Sequence, residues 1–254
     1  MQDMNQSVDT IASNLFRVRQ SIAEIAHTCA GSSDAIRLIA VSKGHPPSAI
    51  AATIAAGQKD FGENTTQEAL TKIPHFQNQG LEWHFIGHLQ TNKAKFIPGN
   101  FSWLHSLDNL DLARKLSRRA QELSASINIL IEVNINRDPK KHGIAPVALP
   151  DFIEQLLKEN LPALSLRGLM TIGPHAAPEK EIRGCFARLR ELRDECRQRY
   201  ALPGFTELSM GMSGDYVEAI KEGATMLRVG TAIFGERSYS KQQPNSRGGG
   251  LSEK

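Results

Sequence analysis

The stretch "RLIAVSKGHPP", residues 37–47, decides the fold. Leu38 to Val41 are apolar and read as a buried strand entered from Arg37. Ser42 and Lys43 follow at its tip, and Gly44 with the pair Pro46–Pro47 ends it. Strands of this kind recur along the chain, at 59–62 (KDFG), 82–86 (EWHFI), 102–106 (SWLHS), 127–135 (INILIEVNI), 165–170 (SLRGLM), 206–209 (TELS) and 225–229 (TMLRV).

Helical patterns lie between most of them. "PSAIAATIAAG" (47–57) stops at Gly57. "DNLDLARKLSRRAQEL" (108–123) offers Asp108 as a cap, with Leu112, Leu116, Ala120 and Leu123 on one face. "LPDFIEQLLKEN" (149–160) and "PEKEIRGCFARLRELRDECRQRY" (178–200) continue the alternation. Ahead of the first strand, Ile11, Leu15, Val18, Ile22 and Ile25 recur at steps of three and four and predict an amphipathic helix. Eight strands alternating with helices predict a parallel sheet, and 254 residues suit a single closed (β/α)8 barrel of the α/β class with an extra N-terminal helix. A doubly wound open sheet is the alternative, but no GxGxxG follows the first strand. The barrel is expected over residues 1–240. The polar, Gly-rich stretch 241–254 is expected to be a disordered tail.

Composition narrows the function classes. The chain is 40% apolar and 22% charged, with a net charge of +3 and no concentrated basic patch, so no nucleic-acid partner is expected. Three widely spaced cysteines, Cys29, Cys185 and Cys196, without a CxxC pair read as free thiols in a reducing compartment. Nothing reads as a signal peptide or membrane span, so a cytoplasmic protein with no membrane partner is expected.

In a barrel the active site collects where strands end. The strand tips here are polar, small or flexible: Lys43, Glu63–Asn64, Gly87–His88, His105–Ser106, Asn134–Asn136, Met170–Thr171, "SMGMSGD" and "RVGTAIFG". Lys43 reads either as a lysine reaching into solvent or as an amine poised to form a Schiff base with an aldehyde cofactor such as pyridoxal phosphate. A phosphate cradle then has two candidates, both in the loops after strands seven and eight. One is Ser213 at the start of a helix, unless it is merely a cap. The other is Gly230–Thr231. Arg228, inside an apolar strand, reads as an ion pair with Glu132 or Glu207, or as a contact to a pyridine nitrogen. Asn64 reads as a helix cap or a site residue. His84 and His88 flank a strand end and a glycine, not a helix face, so no metal site is expected.

In this order, "IAVSK", "FGEN", "WHFIGHLQTNK", "HSLD", "LRGLMTI", "LSMGMSGDYVEAI" and "LRVGTAIFGER" resemble the pyridoxal phosphate homeostasis protein family, the YggS/PROSC family, over about residues 5 to 240. The resemblance implies a single barrel similar to the N-terminal domain of alanine racemase. It implies pyridoxal 5′-phosphate bound as a covalent aldimine at Lys43. Ser213, Gly230 and Thr231 would then hold the phosphate, Arg228 the ring nitrogen, and Asn64 would sit beside the cofactor. The implied role is cofactor homeostasis without a known reaction, so no catalytic residue is assigned. Pyridoxal phosphate would then be the small-molecule partner and PLP-dependent apoenzymes its recipients, and the chain is expected to act as a monomer. A small amino-acid racemase is the alternative. Against it, Pro47 stands where racemases carry a phosphate-contacting tyrosine, and the sequence shows no second domain to supply an opposing base. Gly44–His45 departs from the residues common in relatives.

Overall fold

Residues 2–29 and 36–236 are described by the computed structural model, with side chains from Asp9 onward. The expected tail at 241–254 lies outside the described residues. Eight strands form in the predicted places: β1 (Arg37–Val41), β2 (Asp60–Glu63), β3 (Glu82–Phe85), β4 (Trp103–Leu107), β5 (Ile127–Glu132), β6 (Leu164–Met170), β7 (Glu207–Ser209) and β8 (Met226–Val229). Each pairs with the next in sequence, and β8 closes on β1 in parallel, with Ile39 opposite Arg228. The result is a closed eight-stranded parallel barrel.

Parallel neighbours need long crossovers, and helices supply most of them. These are α2 (Pro47–Ala55), α3 (Thr66–Lys72), α4 (Leu110–Glu122), α5 (Leu149–Lys158), α6 (Glu179–Arg199) and α7 (Tyr216–Lys221); the short α8 (Thr231–Phe234) follows the last strand. The N-terminal α1 (Gln2–Cys29) lies across α2, α7 and α8. Its buried face carries Ile11, Leu15, Val18 and Ile22, and Ile25 packs at its edge. Arg19 on α1 donates to the carbonyls of Ala56 and Gly57 at 3.0 Å each. It thereby satisfies acceptors that the end of α2 leaves open. Gly57 adopts φ 83°, the left-handed stop the sequence anticipates.

Two local expectations give way. Asn109, not Asp108, caps α4; its side chain accepts from the Leu112 N–H at 2.9 Å, and Asp108 is left outside the helix. Leu123 ends α4 and is exposed, because the apolar face of that helix runs out one turn earlier, at Ala120.

The core has two shells. The outer one packs helices onto the sheet. The inner one is a separate cluster of Ile39, Trp103, Leu130, Met170 and Met226. Side chains alternate along a strand, so Val41 and then the tip residue Lys43 continue the inward face begun by Ile39. That periodicity aims the lysine at the mouth of the barrel.

Candidate functional site

One cavity of about 260 Å³ opens at the C-terminal ends of the strands. Lys43, Asn64, Ser213, Arg228, Gly230 and Thr231 all line it, together with Val41, His45, Ile86, Ile172, Met212 and Gly214. Four strand ends, those of β1, β2, β7 and β8, thus deliver the six residues singled out in the sequence to a single place.

The tip that carries Lys43 stands on a buried ionic platform. Lys72 of α3 is 4% exposed and donates to the Ser42 carbonyl at 2.7 Å, to Glu63 Oε1 at 2.8 Å and to Glu68 Oε1 at 2.6 Å. Ser42 Oγ also donates to Glu63 Oε1, at 2.6 Å, and the Gly44 N–H donates to Glu68. The backbone on both sides of Lys43 is therefore held, and Gly44 turns with φ 76°. Nothing local in the sequence marked Lys72 for this work.

Asn64 is not a cap; Thr65 caps α3 by accepting from the Glu68 N–H. Instead the Asn64 Oδ1 atom is buried without a hydrogen-bond partner. Gly87 fits against it so closely that a Cβ there would meet the Asn64 carbonyl oxygen at 2.1 Å. Ser213 does not begin α7 either. Asp215 holds that position, and its carboxylate accepts from the Met212 N–H at 2.6 Å. Ser213 Oγ faces the other loop and accepts from the Ala232 N–H at 3.3 Å. The two phosphate candidates of the sequence are therefore in contact. Gly230 passes close to β1: a Cβ on it would lie 3.2 Å from the Val41 carbonyl oxygen.

Arg228, 4% exposed, makes no ion pair with Glu132 or Glu207. It donates to Ser209 Oγ at 2.6 Å and to the Thr171 carbonyl at 2.9 Å. Burial lowers its pKa to about 10, so it keeps its charge at neutral pH.

From Ser209 the contacts continue down the barrel. His105 Nδ1 lies 2.8 Å from Ser209 Oγ, His84 Nδ1 lies 3.0 Å from His105 Nε2, and His84 Nε2 lies 3.0 Å from Asp60 Oδ1. The polarity of this chain is fixed at its ends. A guanidinium only donates, and a carboxylate only accepts. Ser209 must then donate to His105, His105 to His84, and His84 to Asp60. Both rings carry their proton on Nε2 and are neutral. Burial depresses both pKa values, that of His105 the further, with the neighbouring His84 and Arg228 adding to it.

His84 and His88 part company: His84 is fully buried in the barrel interior and His88 is exposed at the rim. At the rim His88 meets Asp108 and His142. Beside them Glu132 is buried, and its carboxyl is raised to about 7, first by burial and then by the charge of Asp108. His45, which sequence reading left aside, lines the cavity with its ring stacked 4.9 Å from that of Phe234.

The residues fit the cofactor implied by the sequence. An amine, a buried cation and two clustered backbone turns line one cavity, and an orphaned buried acceptor, Asn64 Oδ1, awaits a donor.

Comparison with known proteins points the same way. Residues 9–238 match the alanine racemase N-terminal domain family. The pyridoxal phosphate homeostasis protein of Escherichia coli (strain K12) is 43% identical over 241 residues, 92% of this chain and all of the relative. The protein of the same name from Aquifex aeolicus is 41% identical, covering 89% of this chain and 97% of its own. Among solved structures, PipY of Synechococcus elongatus with PLP bound superposes with a TM-score of 0.79 at 39% identity, over 89% of this chain and all of that one. D-threonine aldolase from Filomicrobium marinum shares the fold alone, at 16% identity and a TM-score of 0.68, over 94% of this chain and 63% of its own. With this coverage at this identity, and with its site residues gathered at one barrel mouth, the chain belongs to the pyridoxal phosphate homeostasis protein family.

Proposed function

We propose that this chain binds pyridoxal 5′-phosphate in the cavity at the β1–β8 mouth, covalently through Lys43, and holds the cofactor for transfer without turning over a substrate. The observation that carries this reading is the convergence of Lys43, Asn64, Ser213, Arg228, Gly230 and Thr231 on one cavity. When bound, the cofactor supplies an aldehyde that an amine can capture and a ring that draws electrons. The chain's own residues do the rest. Lys43 offers the amine from a tip fixed by Lys72. Ser213 with the Gly230–Thr231 turn receives the phosphate. Arg228, locked by Ser209 and Thr171, places a permanent cation toward the ring nitrogen and disfavours its protonation. A ring held that way draws electrons weakly, which suits storage better than racemisation.

The barrel is proposed as one unit over residues 1–240, acting as a monomer; among the described residues few large apolar side chains are exposed, Phe16 and Val147 the most. PLP-dependent apoenzymes are the proposed recipients. A cytoplasmic location accords with three free cysteines, two of them buried. No described helix is long and apolar enough to cross a membrane.

The test is chemical. The purified protein, saturated with the cofactor, is treated with borohydride and digested, and the adduct is located by mass spectrometry. The expected adduct lies on Lys43, and Lys43→Ala abolishes it while leaving weaker, reversible binding. An adduct on another lysine, or none, overturns the anchor; turnover of D- or L-alanine by the loaded protein overturns the storage role.

A further inference from the structure

We propose that His88, Asp108 and His142 form a binding site for a divalent first-row transition metal on the barrel rim, separate from the cofactor cavity. One ligand atom from each residue lies within 4.8 Å of the others, and His88 Nδ1 is 3.8 Å from Asp108 Oδ2. The three come from different segments, after β3, after β4 and from the loop beyond β5, so their meeting is a product of the fold.

The surroundings hold each of them. Asp108 is released from capping α4 because Asn109 does it. Asn109 Nδ2 donates to Asp108 Oδ1 at 2.9 Å, which leaves Oδ2 turned to His88. A ligand oxygen freed by a bond to its twin is the usual arrangement behind a metal. The loop of His142 is tied from within. Asn134 Nδ2 donates to the carbonyls of Asp138 at 2.8 Å and Lys141 at 3.1 Å, and Asn134 Oδ1 accepts from the Asp138 N–H at 3.0 Å. Lys141 is anchored in turn on the Gly173 carbonyl at 2.8 Å. Such a loop presents one imidazole over another: the rings of His88 and His142 stack 3.5 Å apart at 8°.

A second feature points to a cation. Glu132 is 5% exposed, and among the described residues its carboxylate has no hydrogen bond or ion pair. It lies under the His142 loop: a Cβ on Gly143 would come within 3.0 Å of the Glu132 Cγ. A divalent ion on Asp108 would offset the negative charge gathered there.

Two imidazoles and one carboxylate suit zinc, cobalt or nickel far better than magnesium or calcium, and three protein ligands leave a position open to water. Parallel rings cannot aim both in-plane lone pairs at one point. Binding therefore requires one ring to tilt, and both histidines are exposed enough to do so.

The test titrates the purified full-length protein with Zn2+ against a chromophoric chelator, and with Co2+ followed by visible absorbance. One site per chain is expected. Asp108→Asn or His142→Gln should weaken it by about tenfold or more, and His88→Asn with His142→Gln should abolish it. Cys29→Ser, which removes the exposed thiol, should change nothing. Absence of a site, or an affinity untouched by the double variant, overturns the proposal. Should the variants unfold, ring-nitrogen NMR of the unaltered protein decides. Zn2+ must shift His88 and His142, and shifts confined to other histidines overturn it equally. Cofactor loading is read separately at its own absorbance, so neither result stands in for the other.

Discussion

The two halves of the barrel rim are furnished with opposite chemistry. Around β7, β8 and β1 the wall presents Lys43, Arg228 and backbone turns at Ser213 and Gly230, a lining suited to an anion. Around β3, β4 and β5 it presents His88, Asp108, His142 and the buried Glu132, a lining suited to a cation. Strand ends in a closed barrel are set independently, one loop at a time, so one rim can carry both. What separates them is the interior: Arg228 and Glu132 feel each other's charge but do not pair.

The most disruptive way to test this division is on the anionic side. Ser213→Ala with Thr231→Ala should weaken pyridoxal phosphate binding by roughly 1.5–3 kcal/mol for each charge-assisted bond removed, read by cofactor titration. Unchanged thermal unfolding of the cofactor-free protein and unchanged Zn2+ affinity would show that the halves are separate. Equal loss on both sides would erase the comparison.

Glu132 offers a test at the seam. Its folded pKa of about 7 lies above its ordinary value of 4.5, so the unfolded chain gives up this proton first. Its contribution to stability is complete below the ordinary value and is lost as pH rises through the folded one. The loss amounts to at most about 3 kcal/mol. Glu132→Gln should therefore gain stability relative to the unaltered protein between about pH 5 and about pH 8, measured by denaturant unfolding at each pH. A parallel pair of curves would show that the carboxylate is already neutralised by Arg228.

The smallest expected effect lies beneath both halves. His105→Leu leaves the Ser209 hydroxyl without its acceptor and His84 without its donor, a loss of roughly 1–3 kcal/mol in unfolding free energy. Cofactor affinity should fall less than in the phosphate double variant, because Arg228 keeps the Thr171 carbonyl.

How much of this was legible beforehand depended on distance along the chain. The eight strands could be read because apolar runs punctuated by Gly and Pro are local signals. Lys43 could be read because period-two alternation carries the inward face of Ile39 through Val41 to the tip. The cap of α4 reads one residue off, Asp108 for Asn109, and Ser213 stands two residues ahead of Asp215, where α7 is entered. Neighbouring Asp, Asn and Ser side chains all compete for the same N–H groups, and only the three-dimensional turn decides between them. Arg228, which reads either as an ion pair or as a contact to a ring nitrogen, finds the Ser209 hydroxyl on the neighbouring β7 and the Thr171 carbonyl just beyond β6. The platform under Lys43 and the meeting of His142 with His88 were invisible. The first joins a helix to the tips of two strands and the second joins two loops, and no spacing in one sequence records where those elements meet. His84 and His88 show the reverse: near in sequence, they end at different depths of the barrel.

The one-way chain from Arg228 to Asp60 has a consequence for exchange kinetics. The ring protons on Nε2 of His84 and His105 are sealed, since both residues are fully buried. Such protons leave for deuterated solvent only when the barrel itself opens. Their two low-field resonances therefore time the rare opening of the innermost shell. Cofactor at the mouth should slow that clock, although it touches neither ring.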